Sequence, residues 1–230
     1  MFSNFDFQVI IDALPYLFLQ GMVFTLKLTI LAAIFGTLFG TVLALMRLSG
    51  VWPLPQIAGA YVNFVRSLPL LLVIFWFFFL VPFIAQKMVG SPRPIPIDPF
   101  LTALITFSLF EAVFFSEIMR AGIQSLPKGQ VAAGYALGLS YTQVMRRIVL
   151  PQAFRNMLPV LLTQTIVLFQ DTSLVYVLSL NDFLGIAGKI GQRDGRLTEM
   201  YIFAALVYFL ISFAASQAVR RLQAHTAIIR

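Results

Sequence analysis

The amino-acid sequence predicts an all-α integral membrane protein with about five transmembrane helices, and two observations carry that prediction. Hydrophobic residues make up 60% of the 230 residues and charged residues only 11%, which is far from the composition of soluble globular proteins. Apolar stretches of about 20 residues, the length that crosses a bilayer as a helix, recur along the chain. We expect one transmembrane domain over residues 1–230, with spans at about residues 17–46, 61–84, 100–120, 157–180 and 200–219.

The first two predicted spans carry charged residues at or near their ends. One charge, Lys27, lies inside the first span, where a lysine side chain can reach towards the nearer interface. Arg47 follows that span, and Arg66 is expected to anchor the inner end of the second. Gly36 and Gly40 form a small-xxx-small pair, which favours close packing against another helix.

Two connections between spans have distinct compositions. The segment from residue 86 to residue 99 contains four of the twelve prolines, so it cannot be a continuous helix and is predicted to be an external loop. These prolines are Pro92, Pro94, Pro96 and Pro99. The connection between the fourth and fifth spans is predicted to be partly helical, because apolar residues recur there near helical spacing. They are Phe183, Leu184, Ala187 and Ile190.

The distribution of cations predicts the orientation of the chain. If the carboxyl terminus is inside, ten of the sixteen Lys and Arg residues lie at inner positions and five lie outside. Because cytoplasmic loops carry an excess of Lys and Arg, we expect an external amino terminus and a cytoplasmic carboxyl terminus. The inner cations are Arg47, Arg66, Arg120, Lys128, Arg146, Arg147, Arg155, Arg220, Arg221 and Arg230. Topology and anionic membrane lipid explain the net charge of +7, so no nucleic-acid partner is expected.

The cytoplasmic connection at about residues 121–156 is basic, and its residues predict two helices. Ser125 and Pro127 indicate the start of the first helix, and Gly138 indicates its stop. Between these signals most side chains are small, which would let a partner surface approach closely, and Tyr135 can anchor that surface.

The second helix of this connection is predicted to start at Ser140, which fits a capping box with Gln143. We expect it to be amphipathic and to end at Pro151. A structured basic loop at a membrane face is typical of a docking surface for another protein. The alternative is a helical hairpin that lies on the lipid surface.

Three acidic residues lie within or at the ends of the predicted spans. They are Glu111, Glu117 and Asp171. A charged side chain near the bilayer centre costs roughly 2.5 to 3.5 kcal/mol on insertion scales, so each should face a bundle interior or water. Glu117 is predicted to pair with Arg120 on the same helix. Glu111 has no such partner in its own turn, and both a structural carboxyl bonded to another helix and a residue beside a solute path fit it.

A mostly polar stripe follows one face of the predicted fourth span. It consists of Gln164, Thr165, Leu168, Asp171 and Thr172. The four consecutive polar residues at 170–173 predict a locally widened or broken helix that lines a cavity. Hydrogen bonds that hold neighbouring helices together are the alternative.

The sequence lacks the residues that most catalytic and metal sites need. It has no cysteine and a single histidine, His225, so neither a metal centre nor a catalytic triad is expected. No glycine-rich phosphate loop ending in Lys-Ser or Lys-Thr occurs, so any nucleotide energy must come from a partner. The first seven residues lack a basic segment, and we expect no cleaved signal peptide.

Several runs of residues, spread over nearly the whole chain, are similar to those of a known family. They are GMVFTLKLT, RSLPLLL, FEAVFFSEIMRAGIQSLPKGQ, ALGLS, IVLPQAFRNMLP and QDTSLVYVLSL. Through these runs the chain resembles the permease subunits of bacterial ABC importers for polar amino acids, which have the type I importer fold. The resemblance implies an inner-membrane subunit that pairs with an identical or similar permease. It also implies a docked ATPase dimer that holds ATP and Mg²⁺, and an extracytoplasmic binding protein that delivers the solute.

In that family a Glu-Ala-Ala pattern followed by a glycine forms a short helix that couples to a groove on the ATPase. The resemblance places this pattern at Ala132, Ala133 and Gly134, so the glutamate is absent here. Docking through shape and backbone is then expected instead of an ion pair from that position. The implied coupling residues are Lys128, Gly129, Gln130, Ala132, Ala133, Gly134, Tyr135, Leu137, Gly138, Arg146 and Arg147.

The run FQDTSLVYVLSL and the missing glutamate are most similar to the permeases of glutamate/aspartate importers, although a lysine often found before the aspartate in relatives is Gln170 here. The resemblance implies alternating access, in which closure of the ATPase dimer pushes on residues 128–150 and rocks the membrane bundle. The residues expected to line the path are Glu111, Gln164, Gln170, Asp171, Thr172 and Ser173. A secondary transporter or channel that works alone, with intramembrane carboxyls binding coupling protons, is the alternative.

Overall fold

The computed structural model describes residues 5–93 and 98–226, and within these ranges the chain is helical and carries no strand. The α-helices are, in chain order, α1 (Phe7–Tyr16), α2 (Val23–Leu48), α3 (Leu54–Arg66), α4 (Leu70–Phe75), α5 (Val81–Val89), α6 (Pro99–Gln124), α7 (Lys128–Ala136), α8 (Tyr141–Val144), α9 (Leu150–Asp171), α10 (Phe183–Asp194) and α11 (Leu197–Thr226). Wider π-helical turns occupy Leu17–Met22, Trp76–Leu80 and Met145–Val149, and a tighter 3-10 turn occupies Thr172–Leu178. The loop prolines Pro94 and Pro96, the cation Arg230 and the first four residues lie outside the described ranges.

Five helical stretches of the described chain are long and apolar enough to cross a membrane, which confirms the predicted fold class. They are Phe7–Leu48, Leu70–Val89, Pro99–Gln124, Tyr141–Leu178 and Leu197–Ala224. The first begins ten residues earlier than the predicted start at residue 17, because the amphipathic helix α1 continues into α2 through a π-helical turn. Asp6 caps α1 by accepting a hydrogen bond from the backbone N–H of Gln8.

The predicted second span, residues 61–84, is wrong at both ends. Helix α3 stops at Arg66, and a new helix starts at Leu70, because Pro69 has no backbone N–H and disfavours helical backbone in the residue before it. The span then runs on to Val89 and stops where Gly90 adopts a left-handed φ of 68°. The connection that was predicted to be external therefore begins later than residue 86.

The predicted helix end at Pro151 is also wrong, since helix continues from Tyr141 to Leu178. The π-helical turn Met145–Val149 lies just before this proline. A proline in a regular helix clashes with the carbonyl four residues earlier and leaves it without a donor, and a wider turn relieves both problems. The predicted widening at residues 170–173 is likewise corrected, because the helix there tightens into the 3-10 turn that begins at Thr172.

The centre of the fold is the pair of long helices α2 and α6, which pack together more extensively than any other described pair. Small residues of α2 make this approach possible. A Cβ atom on Gly40 would lie 2.9 Å from the carbonyl oxygen of Ala112 and 2.9 Å from the Cβ of Phe115. The predicted packing role of Gly36 and Gly40 is confirmed, since a Cβ on Gly36 would meet Glu111 and Phe115 at 3.1 and 3.2 Å.

Helix α10 confirms the predicted helical connection before the last span, and its start is anchored in the core. The buried carboxylate of Asp182 accepts hydrogen bonds from the backbone N–H groups of Leu184 and Gly185, at 3.0 and 3.1 Å. The Phe183 N–H donates to Oγ1 of Thr25 on α2, at 3.1 Å. These bonds satisfy the N–H groups at the helix start, so α10 is fixed against α2.

Candidate functional site

The predicted docking segment folds as two helices joined by a sharp reversal. Helix α7 begins directly after Pro127, and Gly138 takes a left-handed φ of 76° at the reversal. The capping box is confirmed in both directions, since the Ser140 N–H donates to Oε1 of Gln143 at 2.9 Å and the Gln143 N–H donates to Oγ of Ser140 at 3.4 Å. The backbone of this segment is thus specified locally.

Gly134 fixes helix α7 against the helix that follows it. A Cβ atom at Gly134 would lie 2.7 Å from Cδ1 of Ile148 and 3.0 Å from Cγ2 of Val144, so a larger residue here would force these side chains to move. Val144 belongs to a small buried cluster with Leu126 and Val149 beneath the reversal. The segment is therefore a packed unit that continues, without a break in helix, into the fourth span.

The outward face of this unit combines small and large apolar residues. Ala132 and Ala133 are exposed, and beside them Tyr135, Leu137 and Tyr141 are 47%, 82% and 67% exposed. We refer to these five residues as the docking surface. Of the remaining predicted coupling residues, Gly134 is buried, and the others are exposed, namely Lys128, Gly129, Gln130, Gly138, Arg146 and Arg147.

Tyr141 is a member of the docking surface that the sequence reasoning missed. Its position directly after the cap residue Ser140 places it in the first helical turn, where its side chain is free to point away from the packed face. An aromatic residue at this position of an otherwise amphipathic helix is the feature that could have indicated it.

The predicted path residues separate into two groups in the structure. Glu111 on α6 is fully buried, and its Oε2 accepts a hydrogen bond from Nε2 of Gln164 on α9 at 3.0 Å. Its other oxygen, Oε1, is buried and has no hydrogen-bond partner in the described part of the chain. The bond to another helix that was one reading of Glu111 is thus present, and it leaves acceptor capacity unused.

The second group lies at the end of α9. Thr172 is fully buried, and its hydroxyl donates a hydrogen bond to the carbonyl of Phe169 at 2.7 Å. The Oγ1 atoms of Thr172 and of Thr29 on α2 are 3.5 Å apart. Gln170 is exposed, whereas Asp171 and Ser173 are half-buried.

The predicted pair between Glu117 and Arg120 is confirmed, with Nη2 of Arg120 at 2.7 Å from Oε2 of Glu117. The other carboxylate oxygen pairs with Arg47 of α2. Sequence reasoning missed Arg47, because it is 70 positions away and meets Glu117 only through the packing of α2 on α6.

Comparison with known proteins identifies the family. Residues 36–227 match the family described as binding-protein-dependent transport system inner membrane component. The glutamate/aspartate import permease protein GltK of Escherichia coli O6:H1 is 52% identical over 224 residues, which are 97% of this chain and 99% of that protein. The L-cystine transport system permease protein TcyB of Bacillus subtilis (strain 168) is 39% identical over 197 residues, covering 85% of this chain and 80% of that protein.

A solved structure of an amino acid ABC transporter with histidines has the same fold. It superposes with a TM-score of 0.87 at 28% identity, and the match covers 97% of this chain and 100% of that chain. The family match spans most of the sequence, and the two relatives are aligned over 99% and 80% of their own lengths. The chain is therefore a multi-pass membrane protein that belongs to the family of binding-protein-dependent transport system inner membrane components.

Proposed function

We propose that this chain is the transmembrane permease subunit of an ATP-driven importer of polar amino acids, with glutamate and aspartate as its substrates. The observation that carries the proposal is the 52% identity to a glutamate/aspartate import permease over 97% of the chain. The L-cystine permease is less similar, at 39% identity over 85% of the chain. Acidic amino acids are therefore favoured over cystine as the solute.

The chemistry of ATP hydrolysis is assigned to a partner, a dimer of ATP-binding subunits that holds ATP and Mg²⁺. The chain has no phosphate-binding loop of its own. The docking surface would meet this partner through shape, because the two alanines leave a shallow face and Tyr135 and Leu137 project beside it. Lys128, Arg146 and Arg147 surround it with positive charge, which favours an acidic rim on the ATPase.

Motion would pass from the docking surface to the membrane through one continuous helix. Gly134 lets α7 pack closely on Val144 and Ile148. These two residues belong to the helical stretch that starts at Tyr141 and continues to Leu178. A push on the docking surface therefore moves the fourth span as a lever. This rigid connection supports alternating access, in which two permease subunits, identical or similar, rock against each other.

The solute path is assigned to the polar positions of α6 and α9. Gln170, Asp171 and Ser173 are at least partly exposed and would contact solute, while Glu111 and Gln164 form the polar wall behind them. Thr172 is fully buried, so its part is to hold α9 against α2. In this proposal the amino terminus is external and the carboxyl terminus cytoplasmic, and an extracytoplasmic binding protein delivers the solute.

Reconstitution into proteoliposomes tests the proposal. Uptake of labelled L-glutamate is expected only when the permease, its ATPase, ATP and the loaded binding protein are all present. Uptake that persists without ATP or the ATPase would instead support a transporter that works alone, an alternative that family membership does not favour. Uptake of L-cystine but not of the acidic amino acids would overturn the substrate assignment alone.

A further inference from the structure

A cavity of about 430 Å³ lies where the end of α3 meets α6 and α9, next to the start of the docking segment. This volume is within the range of small-molecule sites, roughly 300 to 1,000 Å³. Its polar lining consists of Arg66, Glu117, Ser125 and Asn156, and apolar side chains of α6 and α9 complete the wall. None of these four residues belongs to the polar group of Glu111 and Gln164 described above.

The cavity is lined by one cation and one anion, Arg66 and Glu117, and in the described chain only the anion is paired. Glu117 is already paired with Arg47 and Arg120 on its two oxygens. Arg66 is exposed and forms no ion pair within residues 5–93 and 98–226. Of the charged residues that line the cavity, Arg66 is therefore the one whose donors remain available to an anion.

The same cavity also presents acceptors. Nδ2 of Asn156 donates to Oγ of Ser125 at 3.0 Å, and that hydroxyl donates to the carbonyl of Gly122 at 2.8 Å. This leaves the amide oxygen of Asn156 without a partner in the described chain. A carboxylate offers about four lone-pair positions, so Glu117 can accept from a further donor in addition to its two arginines.

These groups together fit a zwitterion. Arg66 suits a carboxylate in bidentate geometry, and Glu117 with Asn156 suits an ammonium group. The phosphate of an anionic lipid such as phosphatidylglycerol fits less well, because it would meet the Glu117 carboxylate and brings no ammonium group to the amide acceptor. The walls thus favour an α-amino acid over an anionic lipid headgroup.

We propose that this cavity is an exit site that binds the transported amino acid on the cytoplasmic side, with its carboxylate on Arg66. The inference rests on the proposed function for the identity of the ligand and for the side of the membrane. It adds a substrate-binding residue outside the polar path of α6 and α9. It also has a regulatory consequence, because amino acid accumulated inside would occupy the site and slow further import.

Equilibrium binding to the purified permease–ATPase complex, without nucleotide or binding protein, tests the site directly. Labelled L-glutamate is the probe, and Arg66→Gln is expected to weaken its binding roughly 10- to 100-fold, the loss typical of a charge-assisted hydrogen-bond pair. The affinity of Arg66→Lys for glutamate should lie between those of the wild type and Arg66→Gln, because lysine keeps the charge and loses the bidentate geometry. Arg155→Gln is the matched control, since Arg155 is an exposed arginine that does not line the cavity.

Because Arg66 holds no described ion pair, replacing it leaves the Arg47–Glu117–Arg120 network in place. Equal binding by the wild type and Arg66→Gln, or no binding by the wild type, would overturn the site. A dependence of the Arg66→Gln effect on phosphatidylglycerol content, without any effect of glutamate, would identify a lipid site and overturn it as well.

A transport measurement separates this inference from the function on which it rests. In proteoliposomes preloaded with unlabelled L-glutamate, ATP-driven uptake by the wild type should slow, and Arg66→Gln should need at least 10-fold more internal glutamate for the same slowing. Uptake that ignores internal glutamate in the wild type would refute the exit site and leave the importer intact. Glutamate binding that needs Arg66 without any ATP-driven uptake would refute the importer and leave the site.

Discussion

At the scale of single residues, Asp182 shows how burial and capping oppose each other. Its carboxylate accepts two backbone N–H bonds at the start of α10, and Lys189 lies close enough to favour the charged form. Burial dominates these effects and raises the pKa of Asp182 from 3.8 to about 7. Tyr208 of α11 is the other ionisable neighbour that faces it. The carboxyl is thus expected to titrate near neutral pH.

The stability of the protein should therefore fall as the pH rises from about 4 through 7, to the extent that Asp182 controls it. The folded state has the higher pKa and binds more protons than the unfolded state in this window, so raising the pH removes stability. Asp182→Asn keeps an acceptor for the cap but cannot titrate. Thermal unfolding in detergent between pH 4.5 and 8 should show a smaller slope for Asp182→Asn, and an unchanged slope would contradict the assignment.

Asp171 is a second single residue with a testable role, in this case in transport. If it contacts the ammonium group of the solute, Asp171→Asn replaces a charge-assisted bond by a neutral one, and uptake should fall roughly 10-fold. The measurement is ATP-driven glutamate uptake at saturating loaded binding protein. Asp12→Asn is the control, because Asp12 is an exposed carboxylate of α1 whose hydrogen bond from Gln8 an asparagine can also accept. Equal uptake by both variants would leave Asp171 with a purely structural part.

At the scale of helices, the contact between α2 and α6 depends on glycine. Gly40→Ala would place a Cβ 2.9 Å from backbone and side-chain atoms of α6, so the helices must separate, and we expect a loss of roughly 1 to 3 kcal/mol in stability. Gly59→Ala in α3 is the matched control, since nothing lies within 4 Å of its Cβ position. Alanine is the better helix former, so Gly59→Ala should be neutral or slightly stabilising. Thermal unfolding of both variants in the same detergent makes the comparison, and equal losses would refute the packing argument.

The reversal after α7 depends on backbone conformation instead of space. Nothing lies within 4 Å of a Cβ at Gly138, but its φ of 76° is strained for residues with a side chain. Gly138→Val should cost roughly 1 to 2 kcal/mol and displace the docking surface, whereas Gly138→Asn should be tolerated because asparagine adopts this conformation readily. Glutamate uptake and substrate-stimulated ATP hydrolysis of the complex are the readouts. Activity of Gly138→Val equal to that of Gly138→Asn would show that the reversal does not control coupling.

Local chemistry explains which elements could be predicted. The capping box at Ser140 and the stop at Gly138 each depend on a few neighbouring residues, and both are present in the structure. Pro151 misled the prediction because a π-helical turn just before it absorbs the proline, and such turns have no clear local pattern. The prediction also missed the break at Pro69. The residues on both sides of this proline are apolar, so hydrophobicity indicated one continuous span.

At the scale of the whole molecule, the sequence predicts those parts of the candidate site whose residues all lie on one helix. The Glu117–Arg120 pair and the exposed face of α7 follow from spacing along the chain. The pairing of Glu111 with Gln164 and the arrival of Arg47 at Glu117 bring together residues 53 and 70 positions apart. These two pairs depend on which helices pack together, and the periodicity of the sequence does not predict that.

The docking surface depends on both single residues and helix packing. Gly134 determines its position, and the exposed apolar side chains of Tyr135 and Leu137 determine its chemistry. Replacing both Tyr135 and Leu137 by alanine should weaken binding of the ATPase at least 10-fold and lower ATP-driven uptake, since exposed tyrosines are enriched among the residues that dominate interface affinity and Leu137 adds buried apolar area. The fold should be unaffected, because neither side chain is buried in the chain itself. Met88→Ala is the control, as Met88 is as exposed as Leu137, at 82%, and lies at the end of the span Leu70–Val89.

Copurification of the ATPase with each variant, together with uptake in proteoliposomes, measures the effect. Full retention of the ATPase together with unchanged uptake by the double variant would remove these residues from the interface. Retention of the ATPase with loss of uptake would mean that they transmit motion without supplying affinity. In that case the rigid connection from Gly134 through Ile148 into the fourth span would remain as the coupling element, and the affinity would have to come from the surrounding cations Lys128, Arg146 and Arg147.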